Sequence, residues 1–169
     1  MKNRLNPYAD IKNVQIEASF ELTKEKIRIS FVLQGDLKLY IFPKKENLQR
    51  VDELWKATCF ELLLANDDEL YYELNFSSSR WNFYVLDSYR AEPKELEIFV
   101  EPNLCVEQKN NEFCIIFELD ISALNLEQFN YYNLATILLN ENNERTFWAI
   151  KHLKTKPDFH DKKSFLEIT

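Results

Sequence analysis

The sequence predicts an all-β domain, a two-sheet antiparallel β-sandwich, and three observations carry that expectation. Short segments of alternating apolar and polar residues recur along the 169 residues, with turn signals between them. Aromatic residues make up 14% of the chain, 13 Phe and 8 Tyr among them, which favours strands because such side chains pack well on a pleated surface. In the middle of the chain, polar residues occupy every second place inside otherwise apolar strands, as in Tyr71-Tyr72-Glu73-Leu74-Asn75-Phe76.

The elements follow in order. Val14 to Leu22 alternates loosely, and Lys26 to Leu33 alternates cleanly, with Ile27, Ile29, Phe31 and Leu33 on one side. Leu37 to Phe42 reads as the next strand, beyond the Gly35-Asp36 turn. Leu48, Val51, Leu54 and Trp55 fall at helical spacing, so Asn47 to Lys56 reads as a short helical turn or an ordered loop. Strands resume at Thr58 to Ala65, at Leu70 to Phe76 after the Asn66-Asp67-Asp68 turn, and at Trp81 to Tyr89. Leu96 to Glu101, Leu104 to Gln108 and Phe113 to Asp120 come next, the last two divided by Asn110-Asn111. Ile121 to Leu124 reads as one helical turn; Tyr131 to Asn140 is a nearly continuous apolar run, and Glu144 to Leu153 pairs with it as a hairpin. Roughly ten to twelve strands with little helix suit a two-sheet sandwich. No repeat, linker or shift in composition divides the chain, so residues 1–169 read as a single domain, large enough to bury a core without staples.

Composition excludes several functions. A net charge of −7, with bases scattered among acids, repels phosphate backbones, so nucleic acid is not an expected partner. The single glycine, Gly35, excludes glycine-rich phosphate loops; Asn-rich turns such as Asn140-Glu141-Asn142-Asn143 take over glycine's role. No segment approaches the ~20 apolar residues of a membrane span, and the N-terminus lacks an apolar signal core, so a soluble, cytoplasmic protein with no membrane partner is expected. Cys59, Cys105 and Cys114 are odd in number and lack Cys-x-x-Cys spacing; buried reduced thiols are the expectation.

Strand parity places the candidate site. Tyr71, Glu73 and Asn75 share one face and Tyr72, Leu74 and Phe76 the other; Cys59, Glu61 and Leu63 likewise oppose Thr58, Phe60, Leu62 and Leu64. If the two strands pair, Glu61 lies beside Glu73 and Asn75, giving a wall of two carboxylates and an amide that suits a polar ligand. Trp55, Trp81 and Trp148 each stand beside polar residues and offer a flat apolar face with one N–H donor. Core packing is the simpler reading for any one of them; Trp55, outside a strand, is the best placed for binding. Both histidines lie in the tail, where His152, Asp158 and His160 form either a polar corner at the mouth of a site, with haem or a divalent metal in reach, or a closing turn with local hydrogen bonds. Arg50 and Arg90, each flanked by apolar or aromatic residues, are candidates to hold a carboxylate, of the ligand or of Glu61 and Glu73. Glu61 and Glu73 also admit a glycoside-cleaving acid–base pair, but no nucleophile motif accompanies them, so no catalytic residue is assigned.

Taken together, Arg50, Leu54-Trp55, Thr58-Cys59-Phe60-Glu61, Tyr72-Glu73-Leu74-Asn75-Phe76-Ser77, Trp81, Tyr84, Tyr89-Arg90, Trp148-Ala149, His152 and Lys156-Pro157-Asp158-Phe159-His160 resemble, in order, the bacterial DOMON-like proteins related to family 9 carbohydrate-binding modules. The resemblance spans Arg50 to His160 and implies a jelly-roll-like sandwich whose relatives bind sugars or, in other branches, haem. By position, Trp55, Glu61, Glu73 and Asn75 correspond to the sugar-gripping residues. The chain is expected to depart from the family in standing alone without a signal, and it has Met1 as its only methionine, which disfavours Met/His haem ligation. The expectation is a non-catalytic domain that recognises a small saccharide or sugar-containing metabolite and requires no cofactor. A protein-interaction surface is the alternative from another class.

Overall fold

The structure is a computed structural model that describes residues 1–124 and 129–169. Thirteen strands are found there: β1 (Lys2–Pro7), β2 (Val14–Leu22), β3 (Lys26–Gly35), β4 (Gln49–Arg50), β5 (Cys59–Ala65), β6 (Tyr71–Phe76), β7 (Arg80–Leu86), β8 (Lys94–Glu95), β9 (Asn103–Lys109), β10 (Glu112–Asp120), β11 (Tyr131–Leu139), β12 (Arg145–Ala149) and β13 (Leu166–Glu167). Among the described residues helix is limited to three 3-10 turns, at Leu37–Leu39, Leu54–Lys56 and Lys162–Ser164, and none of these is long enough to cross a membrane.

The strands join in the order β4-β7-β6-β5-β11-β12-β1-β2-β3-β10-β9, with β13 added to β11 and β8 to β7. β1 couples the two halves: Lys2 to Leu5 pair with β2, while Asn6 and Pro7 pair with β12. The result is one curled sheet, a half-barrel folded on itself, with strand β1 common to both halves. Its interior is filled from both sides by alternate residues, Ile16, Phe20, Ile29, Phe31, Phe113 and Phe117 from one half and Phe60, Leu62, Leu74, Phe76, Phe83 and Leu134 from the other. Ring contacts such as Phe31 on Phe60 at 5.0 Å and Phe76 on Phe117 at 4.9 Å lock the halves together. Gly35 ends β3 at φ +126°, and a Cβ there would lie 2.0 Å from the Asn13 carbonyl oxygen, so both conformation and space demand glycine.

Most expected strands form, and the departures have local causes. β1 was not anticipated, because only Leu5 of its six residues is buried and no alternation marks it. Leu37 to Phe42 is not a strand: Leu37–Leu39 coil into a 3-10 turn and only Tyr40 bridges, to Asn140. Leu96 to Glu101 also leaves the sheet; pairing falls instead on Lys94 and Glu95, and Phe99 stands 88% exposed. β7 stops at Leu86, short of Tyr89. The cysteine expectation holds only for Cys59, since Cys105 is exposed and Cys114 half-buried on the outer face near the sheet edge. Asn143 does adopt the left-handed conformation expected of Asn turns, but so do Glu53 and Arg90.

Candidate functional site

On strands β7, β6, β5, β11 and β12, the face turned away from the main interior carries a second character. The register sets Asn82, Asn75, Glu61, Ala135 and Ala149 in one row, and Tyr84, Glu73, Leu63 and Asn133 in the next. Glu61 thus lies directly across from Asn75 and diagonally from Glu73, the neighbourhood that parity alone left conditional on pairing. All these residues are nonetheless buried, Glu61 to 2% exposure and Glu73 to 5%. The cover comes from loops: the 3-10 turn at Trp55, the segment after β7 through Arg90 and Pro93, and the tail from Pro157 to Phe165.

Under that cover lies a cavity of about 360 Å³, with Glu61, Glu73, Leu86 and Ile137 from the sheet and Trp55, Phe147 and Phe159 as aromatic walls. Arg90, Arg145, Pro157 and His160 contribute to its edge. Each wall is held from below. Tyr84 donates to Asp52 Oδ1 at 2.7 Å, and the same oxygen accepts from the Glu53 backbone N–H at 2.7 Å, which stabilises Glu53 at φ 58° and sets Trp55 edge-on to Tyr84 at 5.9 Å. Asn133 Nδ2 donates to the Phe159 carbonyl at 3.0 Å, tying the tail to the sheet. The Arg90 backbone N–H, at φ 54°, donates to the Tyr71 hydroxyl, which lies 2.9 Å from His160 Nδ1. Two non-glycine residues in the left-handed region thus flank one cavity, a placement typical of binding sites.

The electrostatics of the floor are unusual. Glu73 Oε1 accepts from Asn75 Nδ2 at 2.8 Å, whereas the Glu61 carboxyl has no hydrogen-bond partner among the described residues. Burial first, and then the neighbouring Glu73, push the Glu61 acid well above the usual carboxylate range, favouring its neutral form. Burial, then Glu61 and Glu73, raise the Cys59 thiol, which precedes Glu61 by two residues on the same face of β5. Burial lowers the His160 imidazole, Glu73 partly opposing it, which favours the uncharged ring beside the Tyr71 hydroxyl. Burial also drives the Tyr71 phenol up to about 12. Asp158 is held down to about 2 despite its burial, because Lys154 and Tyr89 donate to it and Arg90 lies 3.3 Å away.

The structure brings together five of the residues that the sequence singled out: Trp55, Glu61, Glu73, Arg90 and His160 line the cavity. Asn75 and Asp158 stand behind it, bonded to Glu73 and facing Arg90 respectively. The other four lie elsewhere. Arg50 caps the Trp81 ring at 5.1 Å, donates to Asn82 Oδ1 at 2.7 Å and clamps the Leu96 carbonyl, so it meets neither Glu61 nor Glu73. Trp81 and Trp148 belong to the main interior. His152 donates from Nε2 to the Asn6 carbonyl at 2.8 Å and packs on Tyr8, the local structural role. Phe147, Phe159 and Arg145 were missed as site residues. Alternation along β12 places Arg145, Phe147 and Ala149 on one face, a signal that was available but gave no reason to prefer that face to the one carrying Trp148. Among the described residues no group of three or more His, Cys, Asp or Glu is arranged to hold a metal ion.

No family model matches the sequence, and no curated protein is detectably similar. Solved structures are similar in fold. A protein from Bacteroides uniformis ATCC 8492, provisionally described as carbohydrate-binding, superposes with a TM-score of 0.65 and 11% identity, over 95% of this chain and 83% of that one. A family 9 carbohydrate-binding module from Caldicellulosiruptor kristjanssonii, in complex with glucose, superposes with a TM-score of 0.50 and 8% identity, over 95% and 78%. At these identities the likeness is one of curled all-β architecture.

Proposed function

We propose that the chain is a non-catalytic binding domain for a small saccharide or a sugar-containing metabolite, seated in the cavity above Glu61 and Glu73, and that it belongs with the DOMON-like and family 9 group of jelly-roll-like domains. The observation that carries this reading is Glu61: a carboxyl 2% exposed, lining a cavity, with no hydrogen bond from the described residues. A ligand hydroxyl or amine placed against it gains a hydrogen bond for which no described protein group competes, about 0.5–1.5 kcal/mol net. The aromatic walls Trp55, Phe147 and Phe159 match the apolar faces of a sugar ring, and ~360 Å³ lies at the small end of ligand sites, room for one or two rings. The two proteins of similar fold, one provisionally described as carbohydrate-binding and one in complex with glucose, support the same class. Glycoside cleavage is the weaker reading, because the two carboxyls rise from adjacent strands of one floor, whereas an acid and its partner must flank the scissile bond.

Thermal shift and calorimetry against mono- and oligosaccharides and nucleotide sugars test the proposal. A ligand at ~100 times its dissociation constant stabilises the fold by roughly 2.7 kcal/mol, a readily measured rise in melting temperature. Trp55→Ala and Glu73→Gln are expected to weaken binding, the first by about 2 kcal/mol or ~30-fold, while both remain folded. Absence of any shift across the saccharides would overturn the reading.

A further inference from the structure

Resting on the saccharide reading above, we propose that the ligand bears a protonated amine beside its hydroxyls, an amino sugar rather than a neutral one, and that the amine seats against Glu61 and Glu73. Acceptors outnumber donors on this floor. Among the described residues the Glu61 carboxyl has no protein hydrogen-bond partner, and Asn75 Oδ1, directly across the strand pair, is buried and unpartnered. Glu73 has one oxygen bonded to Asn75, and its other lies 4.0 Å from His160 Nδ1.

Among the described residues no cation is committed to them. The His160 ring nitrogen facing Glu73 is engaged with the Tyr71 hydroxyl, and burial favours the uncharged imidazole. Arg90 is committed to Asp158 at 3.3 Å, and Arg145 donates to the Trp55 carbonyl at 3.4 Å while lying over Phe147. Among the described residues neither guanidinium comes within ion-pair distance of Glu61 or Glu73, and no metal-holding cluster exists there. A neutral hydroxyl can satisfy one acceptor but leaves Glu73 without a counter-charge and Glu61 in the protonated form that burial and Glu73 favour. An ammonium brings three donors and the missing positive charge, and charge-assisted hydrogen bonds are roughly twice as strong as neutral ones. Glu61 and Glu73 are 2% and 5% exposed, and such burial magnifies the difference.

Isothermal titration calorimetry of the full chain with glucose, glucosamine, N-acetylglucosamine and their β-linked dimers, at a pH where the free amine is protonated, tests the inference. Glucosamine or its dimer is expected to bind at least ~10-fold tighter than both the neutral and the N-acetylated counterpart, about 1.4 kcal/mol. In Glu61→Gln that ratio falls to about twofold or less, and Glu73→Gln, a second variant should the first not fold, reduces it in the same direction. Equal or tighter binding of the neutral or acetylated sugar would overturn the inference while leaving the saccharide reading intact. A preference that survives in both variants would likewise overturn it. No binding of any of the sugars would remove both.

Discussion

Strands β5, β6 and β11 bury both of their faces, and the two faces are unlike. One presents Phe60, Leu62, Leu74, Phe76 and Leu134 to the opposite half of the curled sheet, aromatic ring on aromatic ring. The other presents Glu61, Glu73, Asn75 and Asn133, equally shielded from water, to loops and a cavity. Depth of burial therefore does not distinguish core from site here. The difference is in what does the covering: a rigid sheet that interdigitates, or loops that arch over and leave space. An interior of close-packed rings tolerates no polar group without a partner, whereas a cavity floor keeps polar groups for a partner that arrives later.

The comparison breaks most readily on the apolar face. Phe76→Ala removes a ring packed against Phe31, Phe60 and Phe117 and is expected to cost about 3–5 kcal/mol in urea unfolding. A loss below ~1 kcal/mol would mean that the halves are not packed as described. On the polar face the comparable test is Asn133→Ala, which frees the Phe159 carbonyl and loosens the tail; about 1–3 kcal/mol of stability should go, together with saccharide binding. If binding is unchanged, the tail does not form the cavity wall.

A pH series sharpens the contrast further, with a smaller effect. Glu61 has a folded pKa raised above its ordinary 4.5, so the folded state holds the proton more tightly, and its contribution is full below that value and lost as pH rises through the folded pKa. His160 acts oppositely in sign: its folded pKa lies below 6.5, so stability falls as pH drops from there through the folded value. Asp158, held down to about 2, contributes above 3.8 and is lost only as pH falls toward 2. The expected outcome is that Glu61→Gln removes the loss of stability on the rising side of 4.5 and leaves the acid limb in place. Parallel melting-temperature profiles for the parent and the variant would show that Glu61 is not confined as the structure places it. Substitution of Phe60 or Phe76 should leave the shape of the profile unaltered.

Much of this was legible in the chain. Alternation located β2, β3, β5, β6, β10 and β11, because a strand with one apolar face must repeat every second residue whatever its neighbours are. It also put Glu61 and Glu73 on the face away from Phe60 and Phe76. It failed where pairing depends on a partner: β1 has one buried residue, and Leu96 to Glu101 has the composition of a strand without an adjacent edge to join. The same limit governs the site. Trp55, Glu61, Glu73, Arg90 and His160 were recognisable singly, but Arg50, Trp81, Trp148 and His152 carried equal chemical promise and went to structural work.

Side-chain period and residue type thus determined, by sequence alone, that the protein is all-β and that one strand face is polar. Only the tertiary structure decided which polar and aromatic residues meet around a cavity. Cross-strand register, the curl through β1 and the arch of three loops are settled by contacts between residues far apart in sequence, and those contacts leave no local period to read.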